Sequence, residues 1–415
     1  MSAAAADLAA PARPRLALAT TMLVQAASTL AMNVPAVVAP AIAPALGVPP
    51  QRVGWFVGVA YFAAMLSGLV LGTRMQRDGP IRMSLVALLA GAAGLGVAAV
   101  GVSGADALWV WPLAAVLLGA GYGVPNPAAS MVLAAHAPPD RRGLFFSIKQ
   151  TGVPIGIGLA GIIVPPLIGA MPWTWAMVAL AAGCLALAVA LRSTTVLEAR
   201  VPRSRVETAP ASVTALLRAT VAPLRRVWDE PALRRLGVAS LAFSMTQLCF
   251  TTFLVSYLKL ELGRSLAAAA AVLSISQLVA VGCRVLWGQV ADRWLSPLRL
   301  LSLLGLAMAG SAALLGALPA GASPALAMAA ALACAATSMA WNGVYFAELS
   351  HRVRPEELGA ITGGTQFLTF CGAMAGPPVF ASLVGVLGGH GPTYVVMAAA
   401  PAAVGIWLWQ ASRAR

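Results

Sequence analysis

Of the 415 residues, 60% are hydrophobic and only 10% charged, where a soluble domain carries roughly 25% charged residues. A mean hydropathy of +0.85 over the whole length excludes a soluble enzyme. So few polar groups form no metal-ligand cluster, nucleophile elbow or phosphate loop, so neither catalysis nor a cofactor is expected. The net charge of +14 would suit nucleic acid only if it were gathered on one soluble face, and it is not: 22 of the 27 basic residues fall in one set of loops and tails. Three lie in the opposite set (Arg52, Lys259, Arg264) and two inside apolar runs (Lys149, Arg284). Such one-sidedness is the positive-inside rule, which places both termini on the cytoplasmic side of a cell's inner (plasma) membrane.

A hydrocarbon core about 30 Å thick needs roughly 20 apolar residues per helix, and only helices satisfy their own backbone within such runs. After a short Ala/Pro/Arg tail over 1–15, read as a cytoplasmic tail and not a cleaved leader, the apolar runs predict spans at 16–40, 52–73, 82–103, 109–135, 144–170 and 172–191. A polar stretch over 192–232 follows as a cytoplasmic linker, with 213–228 as a candidate interfacial amphipathic helix. Six more spans are predicted at 233–258, 266–290, 298–319, 323–349, 358–388 and 392–411, with a tail over 412–415. All five cysteines fall in these spans, an odd number that reads as packing and not as a disulfide framework.

The chain repeats. Gly72 and Gly288 stand 216 residues apart, and the same offset pairs Arg77 with Arg293, Asn126 with Asn342 and Gln150 with Gln366. Gly156 pairs likewise with Gly372, and Gly169 with Gly385. One ungapped offset links the second to fifth spans with the eighth to eleventh. The expectation is an all-α membrane protein of twelve transmembrane helices in two pseudo-symmetric six-helix bundles, 16–191 and 233–411. Transporters built from parallel repeats place their substrate site near the midplane.

The loop GTRMQRDGPIR after the second span and GQVADRWLSPLR after the eighth resemble the paired signature loops of the major facilitator superfamily. The resemblance implies gate groups: Asp292 and Arg293 in the second copy, Gln76 and Arg77 in the first. It also implies Arg142 near Asp292, and Glu348 as the partner of Arg293. Gln76 stands where the family usually carries Asp. The segment GCRVLWG (Gly282 to Gly288) resembles the eighth-helix Arg region of monocarboxylate and oxalate carriers, which implies an anionic substrate. The fifth span, with Gly152, Gly161, Pro165, Pro166 and Gly169, partly resembles the glycine/proline pattern of drug antiporters.

An ionisable side chain within a span costs several kcal/mol and marks function by default. Lys149 and Arg284 each lie ~9 Å from a span end at 1.5 Å per residue, on helices that the resemblance sets facing each other. Two cations ~8 Å apart repel by about 2 kcal/mol at an effective dielectric of 20, and a carboxylate ~4 Å from each gains about 4 kcal/mol per contact. An anion would therefore promote closure of an otherwise resisting cavity. Asn126, Asn342, Gln150 and Gln366 recur at the repeat offset and are candidate lining groups. Asn33, Tyr61, Tyr122 and Gln277 are further ligand candidates, with Gln247, Trp341 and Tyr345 weaker. No Asp or Glu stands mid-span, and His136, His351 and His390 lie near span ends, so no dedicated carboxylate proton relay is expected.

These residues read together as a secondary transporter, a monomer in the bilayer moving a mono- or dicarboxylate by alternating access. Efflux of hydrophobic compounds is the alternative, and a non-transporting membrane sensor the reading of another class.

Overall fold

A computed structural model describes residues 11–100, 107–138, 141–201, 221, 224–353 and 355–413. The described chain is helical throughout. In order its helices are α1 (Pro14–Leu46), α2 (Val53–Asp78), α3 (Pro80–Ala98), α4 (Ala107–Gly123), α5 (Pro125–His136), α6 (Arg142–Gln150), α7 (Gly152–Ala170) and α8 (Trp173–Ala190). A 3-10 segment, Leu191–Arg200, follows. Then come α9 (Pro231–Leu260), α10 (Leu266–Arg293), α11 (Pro297–Gly316), α12 (Pro324–Ser338), α13 (Asn342–Ser350), α14 (Pro355–Leu387), α15 (His390–Met397) and α16 (Ala399–Arg413). Each predicted span corresponds to one helix or a broken pair, and ten helical stretches among the described residues are long and apolar enough to cross a membrane. Trp109, Leu278 and Val386 are among the large apolar side chains left exposed on them, as a multi-pass membrane protein requires. Of the predicted interfacial helix 213–228, residues 213–220, 222 and 223 lie outside the described residues, and 224–229 is helical.

Proline places many of the helix starts and breaks. It occupies the first turn of α3, α5, α9, α11 and α12, where its missing N–H leaves no bond unmade. The fourth predicted span is cut at Val124 because Pro125 and Pro127 cannot donate to the carbonyls four residues back. Pro154 does the same to Gln150, and the fifth span is cut at Thr151. The tenth span is cut at Met339–Trp341, in line with the repeat, since Val124 and Ala340 stand 216 apart.

The chain forms two compact units, Met1–Val34 with Val59–Leu216, and Pro35–Gly58 with Leu217–Arg415. The second unit therefore takes the end of α1 and the start of α2 as well as the later helices. Its core gathers Phe243, Met308, Trp341 and Tyr345 with leucines of α9 and α11, and Phe243 and Tyr345 both meet the Trp341 ring edge-to-face. Within this unit Pro44 cannot donate to the Pro40 carbonyl, and Lys259 Nζ supplies that bond at 3.0 Å. Arg264 likewise donates to the Ala322 carbonyl.

In the first unit, the opening residues of the predicted linker pack as part of the bundle. Leu197 is fully buried with Ala17, Ile81, Val132 and Leu133. The Leu197 carbonyl meets His136 Nε2 at 2.9 Å, while His136 Nδ1 accepts from the Arg13 backbone N–H at 3.1 Å. Together these bonds fix the Nε2–H tautomer. Glu198 is buried, and its Oε1 accepts the Arg82 backbone N–H at 2.8 Å. A carboxylate at the start of α3 satisfies an otherwise orphaned amide and opposes the positive end of the helix dipole. Gly79, at φ +99°, makes the turn before it, where a Cβ would collide with the Glu198 carboxylate. The Arg82 side chain is largely exposed, so its ion pair with Glu198 adds little and the backbone bond is the larger effect. Glu198→Ala is expected to cost about 1–2 kcal/mol as a lost helix cap, and Glu198→Gln less; thermal unfolding of the purified protein measures both.

Candidate functional site

Lys149 stands at the end of α6, one residue before Gln150 and the break at Thr151. It is 3% exposed. Its Nζ donates to Gln25 Oε1 at 3.0 Å and to Asn126 Oδ1. Gln25, fully buried on α1, passes the network on by donating from Nε2 to Thr29 Oγ1 at 3.2 Å. Gly152 permits this approach, since a Cβ there would stand 3.1 Å from the Gln25 side chain. Asn126 is presented at the start of α5 by the proline-cut turn. Three helices of one unit therefore converge on a single ammonium, and the two described oxygens that hold it belong to neutral amides.

A buried ammonium costs several kcal/mol to desolvate, and amide dipoles repay only part of that. Its three N–H donors make two bonds to described residues. Among the described residues no group of three His, Cys, Asp or Glu could hold a metal.

The second unit holds a different arrangement around the break in the tenth span. Arg284 Nε donates to the Met339 carbonyl at 3.1 Å, and Trp287 Nε1 to the Ala336 carbonyl at 2.8 Å. Carbonyls released where the helix unwinds thus gain donors from α10, which is how broken helices persist in a membrane. Gln277 Nε2 lies 3.4 Å from Met339 S, and Trp341 Nε1 donates to Gln247 Oε1 at 3.0 Å. Asn342 begins α13 immediately after the break.

Of the other candidates, Asn33 Nδ2 bonds back to its own helix at the Thr29 carbonyl, 2.8 Å away. Tyr61 and Tyr122 meet edge-to-face at 5.6 Å. Gln150 is exposed and Gln366 half-buried; no described bond brings either into the Lys149 cluster. Trp341 and Tyr345 are core residues. The expected partnership of Glu348 with Arg293 needs correction: Glu348 is buried and ion-paired with Arg352, one turn on, because an i,i+4 spacing lets a side chain of the same helical segment arrive first. Arg293 is exposed, and Arg77 makes an exposed pair with Asp78 at 3.7 Å. The side chains of Gln76, Arg142 and Asp292 lie outside the described residues.

Gln25 was absent from the sequence candidates. Its signal is visible in retrospect: Gln25, Thr29 and Asn33 recur every four residues, which sets them on one face of α1.

The match to the family described as Major Facilitator Superfamily runs over residues 21–377. An uncharacterised MFS-type transporter of Mycobacterium tuberculosis (strain CDC 1551 / Oshkosh) is 27% identical over 364 residues, covering 87% of this chain and 77% of that protein. Among solved structures, a bacterial homologue of the human lysosomal transporter Spinster superposes with a TM-score of 0.73 at 16% identity, over 96% of this chain and 97% of that one. The peptide transporter POT in complex with sulfate gives a TM-score of 0.73 at 18% identity, over 100% and 98%. At such identities these structures speak for the fold alone. With a helical membrane fold, two units cut by matching breaks and a buried polar cluster in one of them, the chain belongs to the major facilitator superfamily and is a non-enzymatic transporter of small molecules.

Proposed function

We propose that the protein moves a small organic anion, a mono- or dicarboxylate, by alternating access. The observation that carries this reading is the buried Lys149 ammonium, whose described bonds go to two neutral amides. A carboxylate suits such a group, because a charge-assisted bond is roughly twice as strong as a neutral one. Arg284 is the second cation of the reading, fixed in direction by its Nε bond to Met339. The one-sided distribution of basic residues supports an inner-membrane placement with cytoplasmic termini. The protein acts as a monomer in this reading.

A thermal-shift series on detergent-purified protein tests the substrate class. Carboxylates are expected to raise the unfolding midpoint, and Arg284→Ala to remove most of that rise. A ligand at 100 times its Kd stabilises by about 2.7 kcal/mol, well within detection. A rise produced by lipophilic cations and by no carboxylate would instead favour efflux of hydrophobic compounds.

A further inference from the structure

Far from Lys149 in sequence, the second unit contains an acid–imidazole pair, half-buried at Glu261 and buried at His390, that the transport reading does not use. Glu261 follows the last residue of α9, and His390 opens α15. The Glu261 carboxylate accepts the backbone N–H of His390 and that of Gly391, the latter at 3.0 Å. Its Oε1 also lies 2.6 Å from His390 Nδ1. Burial raises the Glu261 pKa, but the hydrogen bonds from the His390 ring and from the two backbone amides outweigh it, and the net shift is downward. Glu261 is therefore an acceptor, and the proton between the two sits on Nδ1.

The opposite end of the ring is the informative one. His390 is 4% exposed, and its Nε2 is buried with no hydrogen-bond partner. Phe253 and Phe380 stack on each other at 4.4 Å and flank the imidazole at 5.9 and 6.2 Å. The other titratable groups nearby are engaged elsewhere. Tyr257 donates to the Leu315 carbonyl and Tyr394 to that of Cys249. Lys259 is bound to Pro40 and Arg264 to Ala322. Arg52, the charged residue of the 50–58 segment, is exposed.

Adding a proton at Nε2 makes an imidazolium that Glu261 stabilises at one end. At the other end it creates a buried donor with no acceptor, a costly arrangement. The protonated ring is satisfied only when the aromatic wall gives way to water or to another acceptor. That wall also seats the start of α2: a Cβ added at Gly54 would stand 2.8 Å from the Phe253 ring and 2.9 Å from Ala381 Cβ, and one at Gly58 3.2 Å from Pro378 Cδ. We propose that His390 and Glu261 form a proton-binding site whose occupation loosens the seat of residues 53–58 on α14.

The test is hydrogen–deuterium exchange of the full chain in nanodiscs at pH 5.5 and 7.5, corrected for intrinsic exchange and read on peptides covering 50–60. In the wild type the corrected exchange is expected to be at least threefold faster at pH 5.5. His390→Gln, which keeps a donor for Glu261 but does not titrate, is expected to bring the ratio to one. Glu261→Gln, which removes the counter-charge, is expected to bring the ratio close to one by making the proton harder to bind. Equal wild-type exchange at the two pH values would overturn the proposal, as would an undiminished ratio in His390→Gln. Should that variant fail to fold, an undiminished ratio in Glu261→Gln overturns it equally.

Discussion

Lys149→Met is expected to weaken carboxylate binding by about 10- to 100-fold while leaving the thermal midpoint unchanged or higher. The lost contact is a charge-assisted hydrogen bond, which contributes about 1.5–3 kcal/mol, and each 1.4 kcal/mol is a factor of ten. Stability responds differently because two effects oppose. The ammonium is 3% exposed, and removing a buried charge relieves several kcal/mol of desolvation. Against that, the buried Gln25 carbonyl loses its donor, at a cost of about 1–3 kcal/mol. Asn126 is exposed, so its oxygen is not left buried without a donor. The net sign favours stability. Calorimetric titration of the carboxylate that most stabilises the wild type, paired with thermal unfolding, reads both quantities. Undiminished binding in Lys149→Met would remove the ammonium from the substrate site.

The largest effect on folding is expected at two glycines that the repeat pairs. A Cβ at Gly156 would stand 2.6 Å from Thr29 Cβ and 3.0 Å from the Leu30 nitrogen, so α7 touches α1 backbone to backbone. At Gly372 it would stand 2.9 Å from the Leu241 carbonyl carbon, where α14 crosses α9. Ser244 Oγ donates across that crossing to the Thr369 carbonyl at 2.8 Å. Small residues at helix crossings of this kind supply much of the association energy in a membrane. Leucine at either site must push the two backbones apart, adding about 1–3 kcal/mol of overpacking to about 0.5–1.5 kcal/mol for each bond lost. Gly156→Leu and Gly372→Leu should therefore lose most of the monodisperse peak in detergent chromatography. Gly169→Leu and Gly385→Leu are the controls. They form an equally regular pair in sequence, yet a Cβ there meets nothing within 4 Å, and both variants should run as the wild type does.

That contrast marks how far the sequence reaches. Apolar run length and the cost of an unsatisfied backbone in lipid leave helices as the only element, so the helical segments are set locally. The 216-residue offset is likewise visible in residues such as Asn126 and Asn342, because each half answers to the same packing constraints. The charge of Lys149 inside a span also announces itself, since such groups are expensive and rare. What surrounds that charge is decided elsewhere. Gln25 reaches Lys149 across 124 residues of chain because Gly152 lets α7 approach α1, a contact with no local signature. Glu198 caps α3 from 116 residues away, and Arg352 takes Glu348 where the family resemblance implied Arg293. The Glu261–His390 pair joins residues 129 apart, although each stands at a span end and reads there as an ordinary polar boundary. Sequence determines where helices run and which charges must be accommodated, because those costs depend on the residue and its solvent. Partner choice depends on which backbones come within a few ångströms of each other, and only the tertiary structure decides that.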